Sequence, residues 1–453
     1  MQRFLKALPR AAAVLFGAFL VAQFIRPALP EEPITADLQA PPAVKGILRN
    51  SCYNCHSNET RLPWFDRIVP AYWLAVTDVK NARRKFDFST FGGLPAAQQR
   101  AILFEGLNQA RVGAMPPAPY QLIHPGSHVT PAQVAILEQY LAPPEGSPAA
   151  ADVRQAAREE YDRWLRSGAT SPAVPPAPNG IAFLPDYKNW QAISSTDRFD
   201  NRTLRVVLAN DVAVAAVKAH QVNPWPDGAT FAKVAWEQLT DETGNAQPGK
   251  FVQVEFMIKD AHKYASTKGW GWARWKGAGL KPYGTDAAFS AECVGCHAPL
   301  RDSDFVFTAP IARDLASSPV SPLLNRTASL AGPLPFDPFP WKVISTGVNS
   351  HEGTMTTLYG NDSALRFARS SPSNTYPDGA ALALVTWFRQ PDGRWFGARI
   401  PGRVKSVEFV TVAANSRSYL EFAGSPPERT GADSSRAASR TEYILGLRAA
   451  VMP

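Results

Sequence analysis

Cysteine is scarce in this chain of 453 residues: all four cysteines belong to the two short motifs discussed below, so none remains for a disulfide bond. Long hydrophobic runs are also lacking, and the uncharged stretch Ala11–Ile25 is short for a membrane-spanning helix. The net charge of +8 is dispersed, and the densest basic run, Arg83–Lys85, is typical of a solvated helix face. The sequence therefore predicts no nucleic-acid partner, while a hydrophobic content of 45% allows packed cores.

The four cysteines form two copies of one motif. Cys52-Tyr53-Asn54-Cys55-His56 and Cys293-Val294-Gly295-Cys296-His297 both read C-x-x-C-H, the attachment signature of c-type haem. Two thiols three residues apart can each form a thioether with a haem vinyl group, and the adjacent imidazole then lies under the iron. We therefore predict two covalently bound haem c groups, with these residues as attachment sites and iron ligands: Cys52, Cys55, Cys293 and Cys296 for the thioethers, and His56 and His297 for the iron.

Two other readings of the motifs remain as alternatives. A structural zinc site needs four nitrogen or sulfur ligands and usually draws them from pairs close in sequence, whereas these pairs lie far apart. A thioredoxin-type redox pair does not require a histidine after the second cysteine, and here both pairs have one. Both alternatives therefore fit the pattern less well than haem does.

The N-terminal segment, residues 1–30, has the pattern of a targeting sequence. Arg3, Lys6 and Arg10 precede the uncharged stretch 11–25, as the positive and hydrophobic regions of a secretory signal do. No clear cleavage site follows, so the sequence favours an anchor in the inner membrane over a cleaved signal peptide; a buried helix is a further alternative. In the first two cases we expect a periplasmic protein, because bacteria attach haem to this motif outside the cytoplasm.

The rest of the chain divides into a helical part and a strand-rich part. We predict a Pro-rich tether over 31–42 and an all-α, c-type cytochrome-like domain over 43–143, with helices at Ala43–Asn50, Pro70–Phe86, Ala96–Val112 and Ala132–Leu141. A helical and Pro-rich linker follows over 144–180, with its helix at Ala150–Leu165. Beyond it, Thr230–Trp236 and Phe251–Ile258 alternate with period two, which predicts strands.

The strand-rich part contains an internal repeat. With a shift of 151 residues, Trp190 aligns with Trp341 and a series of further residues matches without a gap. One small insertion later, Val254-Glu255-Phe256 matches Val407-Glu408-Phe409. We therefore predict two copies of one α+β domain with antiparallel sheets, over 181–310 and 332–453, joined by a linker over 311–331. The second copy has no cysteine, so it cannot bind haem as the first does.

Residues found only in the haem copy are candidates for its site. Lys233 lies mid-strand where the second copy has Leu384, so we expect it on a face that points into the fold. A buried, unpaired lysine tends to lose its proton and becomes a nucleophile. The alternative is a lysine on an edge strand that reaches water.

Glu237 shares the Lys233 face and aligns with Phe388, which makes it a candidate distal acid; a solvent-facing strand end is the alternative. Residues that both copies keep are interpreted as packing or turn residues: Glu255 with Glu408, and Asp227 with Asp378.

The two haems differ in their candidates for a sixth iron ligand. Met115 lies in the Pro-stiffened loop Gly113–Pro117 and is predicted to be an axial thioether of the first haem, with a core or loop methionine as the alternative. His124 and His128 are fallback ligands. The second haem has only weaker candidates, which are Met257, His220 and His262, so we predict an open sixth position on its iron.

Six stretches of the haem copy carry a family pattern: Arg198–Arg205, Asn223–Gly228, Val254–Phe256, Trp270–Arg274, Cys293–His297 and Asp304–Phe307. Together they resemble cytochrome P-460 and its relative cytochrome c-prime-beta. The resemblance implies a five-coordinate haem with a small-molecule distal site, a strand lysine cross-linked to the haem, for which Lys233 has the right position, and a homodimer. The second copy would then take the partner's place in an intramolecular pseudo-dimer. In the N-terminal part, Cys52–Trp64 and Pro70–Leu74 resemble the small haem-binding domain of exported bacterial cytochromes.

This resemblance implies the leading functional hypothesis. Cytochrome P-460 oxidises hydroxylamine and handles nitric oxide, whereas cytochrome c-prime-beta binds nitric oxide without that turnover. We therefore expect an oxidoreductase that acts on hydroxylamine or nitric oxide at the second haem, with Lys233 tuning that haem. Electrons would leave through the first haem to a soluble or membrane-bound electron carrier. A nitric oxide-binding or plain electron-transfer cytochrome, and a peroxidase-like detoxifier, are the alternatives.

Overall fold

A computed structural model gives the structure of residues 2–29, 31–142, 148–167, 173–313, 315, 320–414, 416–431 and 433–453, with the backbone alone for 2–11. The chain divides into two units, Met1–Ala142 and Pro143–Pro453, each of which is treated by itself below. The predicted linkers over 144–180 and 311–331 lie partly outside the described residues. The predicted order of a helical part followed by a sheet-rich part is confirmed.

The first unit is helical throughout its regular structure. Its helices are α1 Gln2–Ala22, α2 Pro42–Ser51, α3 Tyr53–His56, α4 Ala71–Lys85, α5 Ala96–Arg111, α6 Ala118–Ile123 and α7 Pro131–Leu141. The four helices predicted for this part are confirmed, with ends that differ by at most one residue. Helix α7 starts with a capping box, in which Thr130 and Gln133 each accept a hydrogen bond from the other's backbone amide, and Pro131 occupies its first position.

The N-terminal stretch forms helix α1, but its character differs from two of the expectations. Its apolar side chains from Val14 to Val21 are mostly exposed, so the alternative of a buried N-terminal helix is wrong. The sequence favours a membrane anchor here; among the described residues, however, no helix is long and apolar enough to cross a membrane.

The second unit begins with helix α8, Ala151–Ser167, and continues as two similar halves. The first half contains β1 Gln191–Arg198, β2 Thr203–Ala209, α9 Asp211–Lys218, β3 Thr230–Thr240, β4 Asn245–Lys259, β5 Trp270–Lys276, β6 Lys281–Pro282 and α10 Ser290–His297. The second half contains β7 Lys342–Asn349, β8 Thr354–Gly360, α11 Asp362–Ala368, β9 Ala381–Pro391, β10 Ala398–Ala413, β11 Ser416–Ala423, β12 Glu428–Thr430 and α12 Ser434–Gly446. Both predicted strands are confirmed and are longer than the sequence indicates.

Eight antiparallel strands of this unit close into a ring in the order β1-β2-β3-β4-β7-β8-β9-β10, with β10 pairing back to β1. The ring closes through two short junctions, where Arg198 pairs with Ala398 and Asn349 pairs with Asn245. The repeat alignment matches Arg198 to Asn349 and Asn245 to Ala398. The two junctions are therefore equivalent under the exchange of the two halves.

The hydrophobic cores follow the same division. A cluster shared by both halves includes Trp236 and Trp387, which the repeat alignment matches and which are both fully buried. On the other face of each half-sheet lies a separate cluster: in the first half it contains Phe231 and Trp272, and Cys293 packs against it. The motif helix α10 is thus positioned on the sheet face that also contains Lys233, two residues from Phe231.

Candidate haem sites

The second C-x-x-C-H motif lies on helix α10, where the partly buried thiols of Cys293 and Cys296 form no disulfide and lie about one turn apart. His297 Nδ1 lies 2.7 Å from the carbonyl oxygen of Phe305, so it donates its hydrogen there and leaves Nε2 for a metal. The imidazole packs against Trp272 and Phe307, with ring centroids 4.5 and 4.8 Å away. Burial lowers the pKa of His297 to about 4, which keeps the ring neutral at pH 7, as iron ligation requires.

The carbonyl that orients His297 is itself held in an unusual backbone turn. Asp304 and Phe305 both have positive φ angles, of 49° and 66°, which cost about 1–2 kcal/mol per residue for side chains of this kind. The buried carboxylate of Asp304 accepts hydrogen bonds from Lys259 Nζ at 2.7 and 2.8 Å and from the backbone amide of Trp225 at 2.9 Å. This anchor offsets the strain and fixes the turn beneath His297.

Lys233 is paired, and its strand is central. Strand β3 lies between β2 and β4, so the edge-strand alternative is wrong. Directly opposite on β4, the carboxylate of Glu255 forms an ion pair with Lys233, which corrects the expectation of an unpaired lysine. Burial lowers the pKa of Lys233, Glu255 opposes that shift, and the nearby Arg205 and Arg274 add to it. The side chain is still 33% exposed, so Nζ is reachable.

Glu255 is therefore a site residue that the repeat comparison missed. Its other carboxylate oxygen lies 2.7 Å from Arg274 Nε on β5. Although burial raises the pKa of Glu255, the charges of Lys233, Arg274 and Arg205 hold it well below its usual range. One signal was present in the sequence, because Leu384 stands at the position of Lys233 in the second half; the strand pairing of the structure adds that Glu421 takes the position of Arg274.

The structure brings the Lys233 pair and the motif into one site. Lys233 and Glu255 both act electrostatically on the thiol of Cys293 and on His297. Glu237 lies four residues further along β3, about 13 Å away at the usual strand rise, opposite Thr203. Within the described part of the chain its side chain makes no hydrogen bond or ion pair. Its role as a distal acid stays a prediction.

The first motif begins at Cys52, between α2 and α3, and continues through α3. Cys52 and Cys55 are free thiols, and burial raises the pKa of Cys52 to about 12 and that of Cys55 to about 11. His56 stacks on Phe86 with ring centroids 4.1 Å apart, and its Nδ1 lies 3.4 Å from the Phe86 carbonyl oxygen. Burial lowers the pKa of His56 to about 4, so this imidazole is also neutral at pH 7.

The candidates for the sixth ligand of the first haem differ in how they are engaged. His124 Nε2 lies 3.0 Å from the carboxylate of Asp66, and its Nδ1 lies 3.1 Å from the carbonyl oxygen of Tyr120, so both ring nitrogens have close neighbours. His128 is exposed and contacts Gln121. Met115 is 41% exposed in the loop after α5 and stays the predicted ligand.

Both motifs fit a covalently held c-type haem. Each offers two thiols that form no disulfide and a neutral imidazole whose Nδ1 is turned to a backbone carbonyl. At the second motif, the buried indole nitrogen of Trp272 has no hydrogen-bond partner among the described residues. Since the Trp272 ring packs against His297, this N–H is a donor available to a polar group bound beside the imidazole.

Comparison with known families agrees with this geometry. Residues 184–308 match the family model described as Cytochrome P460, and residues 17–143 match the model described as Haem-binding domain. No curated protein matches the chain. Residues 184–308 are thus similar to the Cytochrome P460 family, and residues 17–143, which precede them, are similar to a haem-binding domain; these matches confirm both resemblances inferred from the sequence. The second half of the sheet-rich unit lies outside both matched ranges.

Proposed function

We propose that the protein is an exported dihaem c-type cytochrome that oxidises hydroxylamine, or processes nitric oxide, at the second haem and passes electrons out through the first. The observation that carries this proposal is the constellation of Lys233, Glu255 and Arg274 beside the motif of α10. The strand positions of Lys233 and Arg274 hold Leu384 and Glu421 in the half without a motif, which supports a role in the haem site over a role in the sheet alone. Periplasmic localisation is supported by the chemistry of the motifs, since bacteria attach haem to them outside the cytoplasm.

Each residue of the constellation has a chemical task. When bound, the haem supplies the iron that takes electrons from the substrate. His297 would hold that iron, and the Phe305 carbonyl fixes the imidazole orientation. Glu255 accepts a hydrogen bond from Lys233, and this ion pair holds Nζ in position beside the motif of α10. Arg274 holds the carboxylate in place.

Turnover of hydroxylamine separates this proposal from its alternatives. We expect steady, hydroxylamine-dependent reduction of an external electron acceptor by the purified holoprotein. Tight nitric oxide binding without turnover would instead support a binding or electron-transfer cytochrome. Peroxide-dependent oxidation of dyes, well above the rate with free haem, would support a peroxidase-like detoxifier.

Replacing Lys233 tests the proposed cross-link between this residue and the second haem. We expect the dithionite-reduced holoprotein to show a red-shifted band from the second haem, and Lys233→Ala to convert it into an ordinary c-type band. Lys276→Ala, on the exposed end of β5, is the matched control and should leave the spectrum unchanged. Two ordinary c-type spectra that do not respond to Lys233→Ala would remove the cross-link from the proposal.

The first haem is proposed to transfer electrons with Met115 as its axial ligand. A methionine thioether raises the haem potential and closes the iron to other ligands. Met115→Ala should therefore abolish the methionine–iron absorption band of the oxidised first haem and lower its potential, whereas His128→Ala should do neither. An unchanged band in Met115→Ala would exclude this ligand.

We further propose that the second half is a P460-like domain without haem, so that the two halves form a pseudo-dimer within one chain. Three features support this: the shared element order, the two equivalent junctions, and one core common to both halves. We call the first half, which carries the second haem motif, the haem half, and the second half, which has no motif, the haem-free half. The proposal explains why the haem-free half is kept, since this half covers the sheet edges of the haem half. An isolated segment 181–310 that is stable, soluble and monomeric would contradict it.

A further inference from the structure

The insertion that shifts the repeat register lies in one hairpin loop. The repeat aligns β3 with β9, ending at Thr240 and Pro391, and it aligns the first residues of β4 and β10, Asn245 and Ala398. The loop between them is four residues long in the haem half, 241–244, and six residues long in the other half, 392–397. The haem-free half therefore carries a loop that is longer by two residues.

The longer loop reaches the segment that follows the second haem motif. Arg394 Nη1 lies 3.0, 3.1 and 3.2 Å from the backbone carbonyl oxygens of Val306, Phe307 and Thr308. The ring of Trp395 meets that of Phe307 edge-on, with centroids 5.5 Å apart. These contacts join the haem-free half to the end of the Cytochrome P460 match, and Arg394 itself lies outside the matched residues.

Trp395 is held in place from the haem half. Its indole nitrogen donates to Asp200 Oδ2 at 3.0 Å, and the guanidinium of Arg198 lies 4.5 Å from the ring centroid. Gly397, at a φ of 103°, brings the backbone close to Asp200: a Cβ atom here would come within 2.8 Å of the Asp200 Cβ. The loop is thus built to fit this surface of the haem half.

The segment held by Arg394 orients the proposed iron ligand. The Phe305 carbonyl accepts the hydrogen bond from His297 Nδ1, and the ring of Phe307 packs against the imidazole. On the N-terminal side of this segment, the Asp304–Lys259 pair provides an anchor from within the haem half. On the C-terminal side, the Val306 carbonyl also accepts a hydrogen bond from Ser303 Oγ of the haem half at 2.8 Å, whereas the anchor that reaches Phe307 and Thr308 as well is Arg394, which comes from the haem-free half.

We propose that Arg394 is a positioning residue for His297, so that the haem-free half completes the ligand shell of the haem half. The inference rests on the proposed attachment of a haem at Cys293 and Cys296. A firm hydrogen bond from Nδ1 makes the imidazole a stronger electron donor, which stabilises oxidised iron and lowers the reduction potential. Loosening the segment should therefore raise the potential of the second haem and leave that of the first unchanged.

The test is a spectroelectrochemical titration of the holoprotein and its Arg394→Gln variant, with the iron–histidine vibration of the reduced second haem as a second readout. We expect a higher potential and a lower vibrational frequency in the variant. Arg389→Gln is the matched control. Arg389 also joins the two halves, through an ion pair with Asp197 at 2.7 Å, and it donates to the Ser350 carbonyl within its own half. It contacts none of residues 305–308. An unchanged potential in Arg394→Gln, or an equal shift in Arg389→Gln, would overturn the inference.

Two further measurements keep this result separate from the proposed function. The mass of the unmodified protein reports whether a haem is attached at the second motif; if none is, the proposed function fails before Arg394 is tested. If Arg394→Gln does not fold or does not load haem, Arg394→Lys decides the question. A lysine ammonium group cannot reproduce the contacts of the planar guanidinium with three carbonyl oxygens. The potential of the second haem should therefore be raised in Arg394→Lys too, but by less than when all these contacts are lost. A potential equal to that of the unmodified protein would overturn the inference.

Discussion

A Cys293→Ser/Cys296→Ser variant is expected to retain one covalent haem and to lose hydroxylamine-dependent reduction of an acceptor down to background. A hydroxyl group does not replace a thiol in the thioether bond, and these two residues are the cysteines of the sheet-rich unit. Intact-mass measurement should show the loss of one haem, and the reduced spectrum should contain the first haem alone. Because the haem is the proposed site of oxidation, the effect on turnover is expected to be complete.

The matched control removes the other haem. Cys52→Ser/Cys55→Ser should keep the second haem and its response to nitric oxide, while electron transfer to an external carrier falls because the exit is gone. The two variants thus separate the reaction site from the exit. If turnover survives in the Cys293/Cys296 variant and disappears in the Cys52/Cys55 variant, the reaction occurs at the first haem and the proposed assignment is wrong.

The sequence predicts the local elements of this protein well, because short-range signals define them. Helix α7 is an example: Thr130 and Pro131 mark its start in the sequence, and the structure shows the capping box there. The strands are harder to delimit. Their ends in β3 and β4 are set by pairing across the hairpin, where bulges shift the register after Ala235, and one-strand periodicity does not contain that information.

The closure of the sheet could not be predicted from the sequence, for a different reason. The pairing of Arg198 with Ala398 joins residues 200 positions apart through only a short register, and no periodic pattern marks it. The internal repeat does indicate that two similar domains exist, but it does not say which edges meet. The six-residue loop at 392–397 likewise registers in the sequence only as a small insertion, whereas in the structure it contacts the residues around His297.

The site shows both the strength and the weakness of comparing the two halves. The comparison singles out Lys233, because Leu384 stands at its position, and the structure places Lys233 on the sheet face against which the motif helix packs. It fails for Glu255, since both halves keep a glutamate for different partners: Glu255 pairs with Lys233 and Arg274, whereas Glu408 pairs bidentately with Arg440. A residue kept in both copies can therefore be part of the site in one of them, when the charges around it have changed.

Asp304→Ala should reduce the free energy of unfolding of the sheet-rich unit by about 3–5 kcal/mol, the usual cost of breaking a buried ion pair from one side. The side chains of Lys259 and Asp304 are only 7% and 8% exposed, and both carboxylate oxygens bond to Nζ. The substitution leaves a buried ammonium group and the amide of Trp225 without their acceptor. Denaturant unfolding of the holoprotein, followed through the absorption of the second haem, measures the change.

The paired control for this variant is Glu352→Gln, which breaks the exposed ion pair with Lys405; the two side chains are 55% and 40% exposed, and the expected loss is below about 1 kcal/mol. Adding Lys259→Met to Asp304→Ala should recover part of the free energy of unfolding, because it removes the buried ammonium group that Asp304→Ala leaves unpaired. We expect Asp304→Ala to raise the reduction potential of the second haem, because the turn that holds the Phe305 carbonyl loses its anchor. The double variant lacks the same anchor, so its potential should be raised too. If Asp304→Ala costs no more than Glu352→Gln, the turn beneath His297 does not depend on the Lys259–Asp304 pair, and the strained backbone at Asp304 and Phe305 must be held by the Arg394 side.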